Sequence, residues 1–284
     1  MAHDDPFTLD FFGNTALSSG FDIAGSAFSP ALESGAVVSE RAITKPAKSV
    51  AEPGTAKAVT RPKVDFRLEG GRGLARTWRE RARDNIAAIR LAGEIERSGL
   101  PARPDQQTRL IRFTGFGASE LANGMFRRPR EDRFRTGWEE LGGSLEASVG
   151  QAEYASLARC TQYAHFTPEF IVRAIWAGLV RMGFAGGRVL EPGIGTGLFP
   201  ALMPKAISAR SHVTGVELDP VSARIVRLLQ PRAKIVAGDF CRAGLPQHFD
   251  LAIGNPPFSD RTVRCRLALN RKNAAVHPRS WHLN

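Results

Sequence analysis

Between residues 73 and 97, Ile86, Ile89, Ala92 and Ile95 recur at steps of three and four, the spacing that puts them on one face of a helix. A second helix is predicted to begin after Pro104-Asp105. It leads into Phe113-Thr114-Gly115-Phe116-Gly117-Ala118-Ser119-Glu120, a glycine-punctuated loop. Its aromatic residues suit either stacking on bases or packing into a core. The period then changes. Helix-like stretches over 151–160 and 168–183 precede short Val/Ile/Leu runs over 187–191, 212–218, 233–237 and 249–254, with helical segments over 198–204 and 220–229. Short apolar runs alternating with helices predict parallel strands joined by crossover helices. The predicted fold class is therefore α/β, a Rossmann-like doubly wound sheet of four parallel strands, preceded by a helical region.

The rest of the chain divides by composition. Residues 1–60 are rich in Ala, Ser, Gly and Pro and hold no sustained period, so a largely disordered leader is expected, with Phe7, Leu9, Phe11 and Phe12 as an isolated apolar cluster. Residues 61–150 form the helical region, 151–260 the α/β core, and 261–284 an irregular basic tail.

A length of 284 residues and 43% hydrophobic content leave room for one or two domains with a sizeable core. No apolar run approaches the roughly 18 residues of a membrane span. The acidic start, Met1-Ala2-His3-Asp4-Asp5, argues against a secretory signal. Cys160, Cys241 and Cys265 have no metal-ligand spacing; they predict no metal site and no disulfide framework, and fit a reduced, cytoplasmic setting. A net charge of +11 points to a polyanionic partner, most simply nucleic acid. That excess is uneven: residues 1–60 carry −3, 61–150 carry +5, 151–258 carry +4 and the last 26 residues +5. Arg76, Arg79, Arg83 and Arg90 on the first helix fit a phosphate-binding face, or a solvated face paired with Glu80, Glu94 and Glu96.

The candidate chemistry sits at the ends of the strands. The first runs into Glu191-Pro192-Gly193-Ile194-Gly195-Thr196-Gly197, a turn whose missing side chains let a ligand approach backbone N–H groups. An acid directly before the glycines suits a cationic, amine-bearing cofactor better than a pyrophosphate. Glu217 closes the second strand 22 residues after Gly195, the interval at which a carboxylate grips ribose hydroxyls. The third strand ends in Asp239-Phe240, an acid and a ring suited to adenine. Each acid alone reads equally as an ordinary loop carboxylate. The fourth strand runs into Asn255-Pro256-Pro257-Phe258. There the Asn255 oxygen and the Pro256 carbonyl can both accept from one planar amino group, with Phe258 stacking on the ring that bears it.

Together Glu-Pro-Gly-Ile-Gly-Thr-Gly, Gly-Val-Glu-Leu-Asp, Gly-Asp-Phe and Asn-Pro-Pro-Phe resemble the motifs of S-adenosylmethionine-dependent N6-adenine DNA methyltransferases, over about residues 160–260. The resemblance implies S-adenosyl-L-methionine as cofactor and DNA as partner. It implies that Glu191, Pro192, Gly193, Gly195 and Gly197 hold the methionine end, Glu217 the ribose, and Asp239 with Phe240 the cofactor's adenine. Asn255, Pro256, Pro257 and Phe258 would then receive a flipped-out adenine. His165-Phe166-Thr167-Pro168-Glu169 resembles the segment that precedes the cofactor fold in such enzymes, which adds Thr167 as a cofactor contact. Thr167 and Pro168 also read as N-cap and first residue of a helix. The same chemistry serves an RNA base or a protein glutamine amide.

Further, Asp84-Asn85-Ile86-Ala87-Ala88-Ile89-Arg90, the Phe113–Gly117 loop and Ala164–Pro168 resemble the front end of methylase–helicase fusions of plasmids and phages, related to the strawberry notch group. That resemblance implies a helicase part absent from this chain. The methyltransferase resemblance implies a core sheet larger than four strands, with the first and fourth strands adjacent. The expectation is a shortened form, active or a non-catalytic remnant. Its basic end would be either a DNA-binding tail or an altered terminus.

Overall fold

The computed structural model describes residues 61–128, 131–162, 167–246 and 248–256. The first helix, α1, spans Trp78–Ser98 rather than starting at Gly73. Thr77 decides this. Its hydroxyl accepts from the Glu80 N–H at 3.3 Å while the Glu80 carboxylate accepts from the Thr77 N–H, a reciprocal cap. Gly99, in the left-handed region at φ 65°, ends the helix. The Ile86, Ile89, Ala92 and Ile95 stripe is buried as its spacing predicts.

After α2 (Pro104–Leu110), the glycine-punctuated loop turns its aromatics inward: Phe113 and Phe116 are buried and meet edge to face at 6.2 Å. Asn85, fully buried on α1, shapes that loop. Its amide nitrogen donates to the Gly115 carbonyl at 2.6 Å, and its oxygen accepts the Thr114 N–H at 2.8 Å. Two short helices were not predicted, α3 (Ser119–Met125) and α4 (Glu139–Glu146). Each buries a single pair four residues apart, Leu121 with Met125 and Leu141 with Leu145, too brief a repeat to register as a period. They meet where a side chain at Gly124 would overlap the Trp138 ring. The helix α5 spans Gln151–Cys160.

Helix α6 (Glu169–Arg181) begins one residue later than expected, with Pro168 as its N-cap and no side-chain capping bond. Thr167 therefore does not cap it; the first-turn Glu169 instead takes the Arg72 Nε–H at 2.8 Å. Next come β1 (Gly187–Pro192), α7 (Leu198–Leu202) and α8 (Lys205–Ser208). The helix expected over 198–204 ends at Leu202, because Pro204 has no N–H to continue the ladder, and α8, which was not predicted, follows it. Strand β2 (Ser211–Glu217), α9 (Pro220–Leu229), β3 (Lys234–Ala237), a 3-10 turn (Phe240–Arg242) and β4 (Leu251–Ala252) complete the described residues. The four described strands lie in the order β3-β2-β1-β4, all parallel, with the first and fourth adjacent as expected. The fold is a Rossmann-like parallel sheet flanked by helices. Strand β4 is shorter than the run 249–254, pairing only Leu251 and Ala252 with Val189 and Leu190, although Ile253 still donates to the Leu190 carbonyl at 2.9 Å.

The helical region is built onto the sheet through α9. Val221, Ala223, Ile225, Val226 and Leu229 are completely buried, with α1, α2 and α5 packed against this helix. A strap of residues 64–72 crosses the seam without entering any sheet, so side chains and helix ends satisfy its backbone. Phe66 donates to the Leu229 carbonyl at 2.7 Å and Leu68 to Ala201 at 2.8 Å. Gln107 reaches the Val64 and Leu228 carbonyls, and Gln230 reaches Phe66. On the other side α6 meets α7, where the Trp176 indole donates to the Phe199 carbonyl at 2.9 Å. No described helix is long and apolar enough to cross a membrane.

The Asn85→Ala chain should lose about 2–4 kcal/mol, because two buried backbone groups of the aromatic loop are orphaned together. Urea denaturation checks this: the midpoint should fall with little change in slope, and an unchanged midpoint would deny Asn85 its organising part.

Candidate functional site

At the C-terminal edge of the sheet, β1 hands over to a loop in which Gly193, Gly195 and Gly197 have φ of 67°, 56° and 73°. A Cβ on these residues would be strained in that left-handed region. Gly197 is also constrained by space, since its Cβ would stand 2.8 Å from Val226 of α9. Between the glycines, Ile194 anchors the loop to β2 by donating to the Val216 carbonyl at 3.0 Å, with its side chain filling the space over Gly215.

Glu217 ties the loop to the next strand end. Its Oε2 accepts the Gly195 N–H at 2.7 Å and its Oε1 the Asp219 N–H at 2.9 Å. Burial raises its carboxyl pKa, opposed by those backbone donors. Asp219, in turn, caps α9 through the Ser222 N–H at 2.8 Å and accepts the Ser156 hydroxyl of α5 at 2.9 Å. Neither Ser156 nor Asp219 stood out in the sequence as part of a site. The capping pattern Asp219-Pro220 was visible, but a partner 63 residues away was not. Cys160, on the last turn of α5, is a free thiol pushed up to about 11 by burial, with the Asp219 and Glu217 charges adding to it.

Glu191 is different in kind. It is 3% exposed, its Oε2 has no hydrogen-bond partner, and its pKa lies well above the ordinary carboxylate range, first through burial and then through the charge on Glu217. The Thr196 hydroxyl in the same loop is likewise buried without a partner. A buried carboxyl without a counter-charge is held protonated; a ligand amine or sulfonium placed beside it would restore its charge. This orphaned acid beside three left-handed glycines fits an amine-bearing, cationic cofactor, and S-adenosylmethionine carries both features.

The remaining sequence-derived residues fall around this cradle. Pro192, half-buried, ends β1. Asp239 is exposed and turns its carboxylate onto the Cys241 N–H at 2.9 Å, while the Phe240 ring beside it is 40% exposed. Leu218, missed in the sequence because it reads as the last residue of a strand, is exposed at the adjacent strand end. Two exposed apolar side chains at neighbouring strand ends suit a flat ring. Helix α6 leads through a short turn into the start of β1, so its N-terminus, with Thr167, stands at the cradle's edge of the sheet. Asn255, half-buried, and Pro256, exposed, follow β4 at that edge. Pro257, Phe258, His165 and Phe166 lie outside the described residues.

Since the folded ligand-free chain holds a proton on Glu191 that the unfolded chain releases, this site stabilises at low pH. That contribution is lost as pH rises from the ordinary carboxylate range to the raised value. Glu191→Gln removes the dependence. The variant should gain stability over the parent as pH climbs through that window, in urea denaturation at a series of pH values; parallel curves would place the carboxylate in water.

No protein-family model matches the chain. A 110-residue stretch is 36% identical to the type II methyltransferase M.CvrRI of Paramecium bursaria Chlorella virus XZ-6E, covering 36% of this chain and 28% of that protein. A stretch of 99 residues is 33% identical to the tRNA1(Val) (adenine(37)-N6)-methyltransferase of Porphyromonas gingivalis, covering 31% of this chain and 38% of that one. One of 100 residues is 31% identical to the Defense against restriction protein B of Escherichia phage P1, covering 34% of this chain and 4% of that protein. The matched stretch is thus well under half the length of each relative. The methyltransferase subunit of a type I restriction-modification system from Streptococcus thermophilus aligns in structure at 13% identity and a TM-score of 0.29, over 62% of this chain and 45% of that one. About a third of the chain is thus similar in sequence to stretches of methyltransferases, among them an adenine-N6 enzyme.

Proposed function

We propose that the chain transfers the methyl group of S-adenosylmethionine to the exocyclic N6 of adenine in a nucleic acid, with DNA as the first substrate to test. The pairing of β1 with β4 carries this reading. The strand order reverses between these two strands, so the glycine cradle after β1 and the Asn255-Pro256 corner after β4 flank one crevice at the switch point.

Glu191, Pro192, Gly193, Gly195 and Gly197 would hold the amino-acid end of the cofactor, with Thr167 beside them. Glu217 would serve the ribose, while Asp239 and Phe240 take the adenine. The bound cofactor supplies an electrophilic methyl group. The task left to the protein is to aim a poor nucleophile at it, since the lone pair of the adenine amine is delocalised into the ring. The Asn255 side-chain oxygen and the Pro256 carbonyl would accept the two amino hydrogens, favouring a pyramidal nitrogen and fixing its direction of attack. Phe258 would stack on the extruded base and offset part of the unstacking cost. No general base is needed before transfer, because the proton is lost from a nitrogen made acidic by methylation.

Exposed Arg127, Arg128 and Arg133, with half-buried Arg135, sit in one basic stretch that would offer phosphate contacts to DNA or RNA alike. RNA adenine is a second reading, supported by the similarity to the tRNA methyltransferase. Labelled S-adenosylmethionine offered with duplex DNA, single-stranded DNA and a tRNA transcript separates the two. Asn255→Ala should slow transfer about 100-fold or more, while cofactor affinity stays within about threefold. Transfer at the parent rate would remove Asn255 from the reaction.

A further inference from the structure

The strap carries a feature that neither the cofactor cradle nor the packing accounts for. Arg72 is buried, its side chain only 5% exposed, and Nε pairs with Glu169 at 2.8 Å, but its Nη1 is buried without a hydrogen-bond partner. Arg112, which follows α2, has a buried Nε that is also without a partner. Its Nη2 lies 3.8 Å from where a Cβ on Gly73 would stand, which brings it beside the residue that follows Arg72. Arg81 on α1 is buried as well, held by its Nε bond to the Ala75 carbonyl at 2.8 Å and by the Trp78 ring at 4.9 Å. Burial, and then the Arg72 charge, lower its pKa, so Arg81 and Arg72 stand near one another.

Glu169 pairs with Arg72 through one side of its guanidinium. Two buried guanidinium N–H groups left unmade cost more than any surface charge, and an oxyanion with several lone pairs would satisfy both at once. Access exists, since Gly71 and Gly73 on either side of Arg72 are exposed and bring no side chains to cover it. Arg72 lies against the first turn of α6, the end of that helix at the glycine cradle's edge of the sheet.

We infer that Arg72, Arg81 and Arg112 form an oxyanion-binding pocket that takes a phosphate group beside the cofactor crevice. The pocket itself does not depend on the methyltransferase reading. Only its assignment to a nucleic-acid backbone phosphate, rather than a free phosphate, rests on that reading.

Inorganic phosphate is the probe. The full chain should bind it saturably in calorimetry at constant ionic strength set with chloride. Arg112→Gln should weaken that binding at least tenfold, because it removes one of the two unsatisfied guanidinium donors and leaves the Arg72–Glu169 pair intact. Arg76→Gln, at an exposed position on the same segment, should leave it unchanged. Absence of saturable phosphate binding by the parent chain overturns the inference whatever the variants do, and so does equal loss in Arg76→Gln. A labelled oligonucleotide then identifies the source. If Arg112→Gln weakens its binding, and phosphate displaces it beyond the matched chloride effect, the ligand is a backbone phosphate. If oligonucleotide binding is untouched while phosphate binding is lost, the pocket serves a free phosphate. S-Adenosylmethionine affinity, measured in parallel, should be the same in Arg112→Gln and parent, so a failed cofactor cradle would be told apart from a failed anion pocket.

Discussion

The Glu217 carboxylate is the point on which the crevice depends. One oxygen holds the Gly195 N–H and the other the Asp219 N–H, so a single side chain joins the glycine loop after β1 to the turn after β2. Asp219 passes the connection on, to the first turn of α9 and to Ser156 on α5. A charge held by backbone donors in a poorly solvated place fixes direction strongly, because releasing it leaves several polar groups unpaired at once. The loop that would grip a cofactor is thereby set by a helix from the region that precedes the sheet.

That dependence gives the helical region a structural reason. A parallel sheet needs both faces covered, and α9 alone presents apolar residues on more than one side. Helices α1, α2 and α5 cover its outer side, and the strap at 64–72 closes the seam with backbone bonds to Leu229 and Ala201. The strap also brings Arg72 to the first turn of α6. Packing of the two regions and placement of charge at the crevice edge therefore come from the same stretch of chain. Glu191 is the counterpart inside the cradle, a buried acid without a partner, as Arg72 and Arg112 hold buried donors without one.

Much of this was legible in the order of residues. The change from a three-to-four-residue period to short apolar runs marks the helical region and the strands, and the acids at the ends of β1, β2 and β3 stand where the structure has them. The burial of Phe113 and Phe116 resolves the double reading of their loop, because Asn85 turns its backbone inward. Boundaries fared worse where a local bond competed with the period: Thr77 delays α1, and Pro204 divides the segment after the glycine loop. Helices α3 and α4 were hidden because two apolar residues in seven or eight make no repeat. The basic face suggested for α1 is also partly redirected, with Arg79 set over the Trp138 ring and Arg90 bonded to Ser144 and Ser148.

What the sequence by itself determined is the chemistry available and its order along the chain: strand, glycine turn, acid, and finally Asn-Pro-Pro-Phe. These follow from local rules, since a strand end, a left-handed glycine and a proline-stiffened turn each act over a few residues. Only the tertiary structure decided which of those groups keep a partner. Glu217 is satisfied by Gly195 and Asp219 whereas Glu191 is orphaned, and Arg72 finds Glu169 with one arm and nothing with the other. Hydrogen-bond satisfaction inside a folded chain depends on residues tens of positions apart arriving together with water excluded, and no pattern read along the chain contains that information.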